Sequence, residues 1–150
     1  MQVVTGLYGT NEDTVYLSPA PLYHAAPLRF TMGVNYIGGT NIIMENFDAE
    51  SSLKFIEKYF VTMSQWVPTM FVKMFKLPED VRNNYNLSSH KCAIHAAAPC
   101  PVKIKIIIRY IFLDPRLHIW SRQRSSRHDY IRTAKFLCPF NRIINITVFF

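Results

Sequence analysis

Between residues 14 and 95, short β-prone segments alternate with stretches of helical periodicity, and this alternation restricts the chain to one class of fold. The strand candidates are Thr14-Val15-Tyr16-Leu17, Thr40-Asn41-Ile42-Ile43-Met44, Val61-Thr62-Met63-Ser64-Gln65-Trp66 and Lys91-Cys92-Ala93-Ile94-His95. A mostly apolar helix over 29–37 separates the first two and stops at Gly38-Gly39. The next helix carries the clearest start signals. Asp48 can cap it, and Glu50 places negative charge in its first turn, where the helix dipole is positive. Leu53, Ile56, Tyr59 and Phe60 follow at helical spacing, with Lys54, Glu57 and Lys58 free to face water. A third helix over 69–75 breaks at Leu77-Pro78, and Asn83-Asn84-Tyr85-Asn86 reads as a turn-rich link. Pro101 suits the first position of a helix over 102–109.

Strands spaced by helices predict an α/β fold, a mainly parallel sheet with helices packed on it. Such sheets bind ligands where loops leave the carboxyl ends of strands. Here those loops are residues 19–27, 67–69 and 96–101.

With 150 residues, 49% of them hydrophobic, the chain can build one core and lies far from disordered compositions. No run of ~18 uncharged apolar residues is present, so no membrane-spanning helix is expected. The start Met1-Gln2-Val3-Val4-Thr5-Gly6 lacks the basic and apolar blocks of a secretory signal. The three cysteines, Cys92, Cys100 and Cys138, have no close pairing, which suits reduced thiols and a cytoplasmic protein.

The net charge of +7 is unevenly placed. Residues 1–100 carry seven Lys/Arg against eight Asp/Glu, whereas residues 101–150 carry ten against two. The whole excess lies in the last third, so a body over 1–110 and a basic, irregular tail over 111–150 are expected. Arg-rich sequence with Trp120 and Tyr130 interleaved could neutralise phosphates and stack on bases, the alternative reading as a nucleic-acid-binding module. A tail with no selected role is the reading preferred here.

Few residues suggest chemistry on their own. His24, in Pro21-Leu22-Tyr23-His24-Ala25-Ala26, is either a loop histidine filling space or an imidazole beside a phosphate or carboxylate. His95, at a strand end, reads as structural. Ala96-Ala97-Ala98-Pro99 is either a tight loop or a surface small enough for a flat ring to approach the backbone. Val67, Pro68, Thr69 and Met70 could line a cavity or simply belong to the core. Cys100 has no identifiable partner base. Walker and Rossmann phosphate loops, His-Glu-x-x-His and Gly-x-Ser-x-Gly are all absent, and no metal ligands are assigned.

Taken in order, these segments resemble the acyl-CoA synthetases of the AMP-forming adenylating superfamily, nearest to the fatty-acyl-CoA synthetase branch. Asp13-Thr14-Val15-Tyr16-Leu17-Ser18-Pro19-Ala20-Pro21-Leu22-Tyr23-His24 looks like the family segment ending in Pro-Leu-aromatic-His. Phe47-Asp48-Ala49-Glu50, Val61-Thr62, Val67-Pro68-Thr69-Met70, Leu77-Pro78-Glu79, Asn86-Leu87-Ser88-Ser89 and Ala97-Ala98-Pro99 follow in family order. The resemblance covers about residues 1–110 and marks the chain as an internal piece of the large N-terminal domain.

It implies activation of a carboxylic acid, here a fatty acid, by ATP to an acyl-adenylate, then thioester formation with CoA. Magnesium accompanies the ATP. By position, His24 is the active-site histidine, Ala97, Ala98 and Pro99 match the adenine-binding loop, and Val67, Pro68, Thr69 and Met70 match the acyl pocket. The phosphate loop is expected upstream of Met1, and the ribose-binding aspartate and catalytic-lysine domain downstream. None of ATP, magnesium or CoA is therefore expected to bind this piece tightly.

The family's Tyr-Gly-x-Thr-Glu-like motif should fall near 118–125, where Leu117-His118-Ile119-Trp120-Ser121-Arg122-Gln123-Arg124-Ser125 stands instead. Codons exist for residues 122–131 that, read one nucleotide later, give Gly-Ser-Glu-Ala-Ala-Gly-Met-Thr-Ile, the type of segment the family has there. A shifted frame would also explain the charge break.

Overall fold

The computed structural model describes residues 8–95, Ile111 and the backbone of 118–121. Five parallel strands form a single sheet: β1 (Val15–Ser18), β2 (Thr40–Ile43), β3 (Met63–Trp66), β4 (Cys92–His95) and β5 (His118–Ser121). Their spatial order is β2-β1-β3-β4-β5. Helices α1 (Ala25–Tyr36), α2 (Ala49–Lys58), α3 (Pro68–Phe75) and α4 (Glu79–Asn83) lie between them. The expected mainly parallel α/β sheet is the observed one.

The strand order decides where the helices go. The chain moves one way from β1 to β2 and then crosses back over β1 to reach β3. Right-handed crossovers in opposite directions put α1 and α2 on opposite faces of the sheet. Alternating side chains serve both faces. Tyr16, Met63, Cys92 and Ile94 meet Phe30 and Val34 of α1. Leu17, Trp66 and Ala93 point the other way and pack with Leu53 and Ile56 of α2 and Phe71 and Met74 of α3. Each such large side chain taken fully out of water contributes roughly 1.5–3 kcal/mol before the cost of ordering the chain.

Helix α2 follows its local signals. Asp48 accepts the Ser51 amide proton at 2.8 Å, Glu50 sits in the first turn and Lys58 in the last. Ser52 is buried on the inner face, where its hydroxyl donates back to the Asp48 carbonyl at 2.6 Å. Tyr59 and Phe60 leave the expected apolar stripe. The helix ends at Lys58, Phe60 turns left-handed at φ 52° and 73% of its surface faces solvent. Val61 N–H then bonds the Ile56 carbonyl and Phe60 N–H that of Glu57, a Schellman closure that rotates Phe60 off the buried face. Helix α1 closes the same way with Gly38 at φ 80°, as the Gly38-Gly39 pair predicts.

Several boundaries differ from the sequence reading. Helix α1 starts at Ala25, four residues before 29, because Pro27 is tolerated in a first turn. A short helix α4 over Glu79–Asn83, not anticipated from the sequence, precedes the turn-rich link, which keeps Asn84, Tyr85 and Asn86 and loses only Asn83 to the helix. Val61 and Thr62 precede β3 instead of opening it. Thr62 acts there as a staple: its hydroxyl accepts from Val15 N–H at 3.0 Å and its carbonyl from the amides of Lys91 and Cys92.

The irregular tail expected over 111–150 is corrected at two places. Ile111 is helical and buried against the α2 face, and His118–Ser121 is a regular strand in register with Cys92–His95. Isoleucine and tryptophan suit a strand, and the open edge of β4 supplies the partner. The helix expected over 102–109 lies outside the described residues, as do residues 122–150.

Candidate active site

A sheet ordered 2-1-3-4-5 has its switch point between β1 and β3, where consecutive loops leave toward opposite faces and open a crevice. The loops on its two sides are those the sequence singled out. After β1, Ser18 Oγ donates to the Ala20 carbonyl at 3.2 Å, and the chain turns so that His24 N–H bonds the Pro21 carbonyl at 3.2 Å. His24 becomes the N-cap of α1 with extended backbone, and its carbonyl accepts the Leu28 amide proton. Its side chain makes no capping bond, and the ring is exposed, 4.4 Å from the ring of Tyr23. The imidazole is therefore presented to solvent from a backbone held by the helix start.

Across the crevice, Val67 is the N-cap of α3 and Pro68 its first residue, so the wall proposed from the sequence is the first turn of a helix. Val67, Pro68 and Met70 are half-buried and Thr69 is exposed. Met70 packs on the cluster that contains Trp66 and Phe71, so it also serves the core. Topology thus makes neighbours of the two strands, β1 and β3, after which His24 and the 67–70 turn follow. Ala97, Ala98 and Pro99 follow the carboxyl end of β4 and lie outside the described residues, as does Cys100.

Beneath the 67–70 turn is a polar chain that the sequence reading passed over. The Trp66 indole N–H donates to Ser64 Oγ, and Ser64 Oγ is 2.6 Å from His90 Nε2. All three side chains are buried. Burial pushes the His90 imidazole down to about 3, so it is neutral at physiological pH. Trp66 and Ser64 stand two apart on one strand, and hence on one face, which the sequence does show. That His90, 26 residues later, meets them is a tertiary fact.

Other candidates recede. Cys92 is buried beneath α1 and its thiol is pushed up to about 12, which leaves it inert. His95 is buried at the end of β4. Among the described residues no three His, Cys, Asp or Glu side chains come together as a metal site. Magnesium held mainly by ATP phosphates needs few protein carboxylates, so no described residue is assigned to it.

The sequence matches the AMP-binding enzyme family over residues 1–120. The chain belongs to that family. The match runs ten residues past the boundary expected at 110 and takes in most of β5. A 4-coumarate:CoA ligase of Petunia hybrida is 33% identical over 113 residues, 74% of this chain and 20% of the relative. An acyl-CoA synthetase of Caenorhabditis elegans is 36% identical over 81 residues, 54% of this chain and 15% of the relative. The chain thus spans about one fifth of the length of the relatives it matches.

Solved structures agree in fold. The inhibitor-bound N-terminal domain of FACL13 from Mycobacterium tuberculosis superimposes with a TM-score of 0.61 at 25% identity, covering 67% of this chain and 25% of that one. An O-succinylbenzoate coenzyme A synthetase of Bacillus subtilis, in complex with ATP and magnesium ion, gives 0.61 at 23% identity, covering 71% and 21%. No described helix is long and apolar enough to cross a membrane.

Proposed function

We propose that this chain is the part of an AMP-dependent acyl-CoA ligase that carries the active-site histidine and one wall of the acyl pocket, with a fatty acid as the acid activated. The observation that supports the reading is that β1 and β3 are neighbours in the sheet, with His24 following the first and the 67–70 turn the second. In the proposed reaction a carboxylate oxygen bonds to the α-phosphorus of ATP and pyrophosphate leaves. A CoA thiol then attacks the acyl carbon and AMP leaves. His24, exposed at the crevice mouth, would donate an N–H to the carboxylate or phosphate oxygens and hold them for attack. Val67, Pro68 and Met70, backed by Trp66 and Phe71, give the acyl chain an apolar surface. Ala97, Ala98 and Pro99 would take the adenine face. Magnesium, when bound, would offset phosphate charge.

The 1–150 chain alone is expected to give no acid-dependent exchange of pyrophosphate into ATP, because most of the phosphate-clamping groups belong to other parts of the relatives. Weak binding of an acyl-adenylate analogue is the positive test. Each missing charged hydrogen bond costs roughly 1.5–3 kcal/mol, so the loss of several moves a micromolar site to about millimolar. In ligand-observed NMR, Ala98→Trp should abolish that binding and Cys100→Ser should leave it unchanged. Binding undisturbed by Ala98→Trp refutes the adenine assignment. Alkyl and hydroxycinnamoyl analogues in competition test the acid, and preference for the latter refutes the fatty-acyl reading.

A further inference from the structure

We infer that Ser64, His90 and Trp66 are positioning residues for the acyl-pocket wall, a role that rests on the ligase reading above. Indole nitrogen can only donate, so Ser64 Oγ accepts from Trp66 and, with its proton and a second lone pair, bonds His90 Nε2 in either neutral tautomer. All three side chains are buried, and His90 is neutral. The result is a hydrogen-bonded relay from the last residue of β3 to the segment that precedes β4.

What the relay holds is the indole plane. Trp66 is wedged between Phe47, 6.5 Å away edge-on, and Phe71 of α3 at 5.7 Å. Phe71 is one turn beyond Pro68, so the indole's rotation about its side-chain bonds sets how the first turn of α3 leaves the sheet. Val67 has no capping side chain to do this, and the helix begins without any acidic residue in its first turn. The far end is tethered as well: His90 N–H bonds the Leu87 carbonyl at 3.0 Å, and Ser89 Oγ donates to the Val61 carbonyl at 3.1 Å. Loss of any one member frees the indole to turn and the wall to shift, while the α1 face of the sheet, which shares none of these side chains, stays in place.

The test uses the 1–150 chain and does not depend on ligand for its first readout. In ¹H–¹⁵N spectra, Ser64→Ala should shift the Trp66 indole N–H and the amides of Val67, Thr69, Met70 and Phe71, and leave Val34 and Asn35 of α1 unmoved. Ser64→Thr, which keeps the hydroxyl, should restore the parent shifts. Unmoved 67–71 amides in Ser64→Ala overturn the proposal. So does an equal disturbance of α1, which marks the network as general core packing. The second readout is a ratio, the affinity for a lauroyl sulfamoyl-adenosine divided by that for sulfamoyl-adenosine without an acyl chain. Ser64→Ala and His90→Leu should each lower it by tenfold or more, because only the acyl wall moves, whereas His90→Gln should recover most of it. A purely structural role would lower the melting temperature and leave the ratio constant, and that result also overturns the proposal. If the parent binds neither compound, the ligase reading fails, and the amide shifts still judge the relay.

Discussion

Replacing Gly39 with alanine should cost more stability than replacing Gly38, although the residues are adjacent and the chemical change is identical. At Gly38 the backbone is left-handed, φ 80°, and a Cβ would meet nothing within 4 Å. The penalty is the backbone conformation alone, about 1–2 kcal/mol, less roughly 0.4–1 kcal/mol recovered by restricting the unfolded chain. The net loss is then about 0.5–1 kcal/mol. At Gly39 a Cβ would stand 2.8 Å from both the Thr14 carbonyl oxygen and Val34 Cγ1. That carbonyl accepts the Thr40 amide proton at 2.8 Å, the bond that opens the β1–β2 ladder. Overpacking of this kind costs typically 1–3 kcal/mol, and weakening the ladder bond adds about 1 kcal/mol. The net is about 2–3 kcal/mol. Urea unfolding followed by far-UV circular dichroism measures both. With a slope of about 1–3 kcal/mol per molar, Gly39→Ala should lower the midpoint by roughly 1 M and Gly38→Ala by a few tenths. Equal midpoints, or a milder effect at Gly39, would refute the account of α1 pressed against the start of β1.

Two further expectations concern charge. Asp48→Ala removes the α2 cap and should cost about 1 kcal/mol in the same assay. Bonding to the Ser51 amide holds the Asp48 carboxyl below its usual range, so the cap's contribution is complete above the unfolded value and fades as pH falls through the folded one; Asp48→Ala should flatten that acid limb. His90 has a folded value of about 3, below its unfolded 6.5, so the unfolded chain takes up the proton first and stability falls as pH drops from 6.5 toward 3. The loss should be on the order of 2–3 kcal/mol between pH 7 and 4.5. His90→Gln should remove that slope, and an unchanged slope in this variant shows that other groups carry it.

What could be read from the residue order is what nearest neighbours decide. Asp48 caps α2 because its carboxylate reaches an amide three residues on, and Gly38-Gly39 ends α1 because a left-handed residue closes the last turn at least cost to glycine. Pro68 starts α3 for a similarly local reason. The motif order placed His24 and residues 67–70 just after strand ends; His24 caps α1 there, whereas Pro68, Thr69 and Met70 already belong to α3. Local rules failed where a distant partner had the deciding vote. Phe60 is apolar and in phase with the α2 stripe, yet it faces water because the closing turn rotates it away. His118–Ser121 became a strand because β4 had an edge to offer. The sequence likewise contained Ser64, Trp66 and His90 without any sign of their contact, since that bond spans 26 residues of chain. The order β2-β1-β3-β4-β5 makes the β1 and β3 loops neighbours. Nothing in either loop specifies that, because strand order is settled by pairing between segments distant in the chain, and the crossovers it requires then put α1 and α2 on opposite faces.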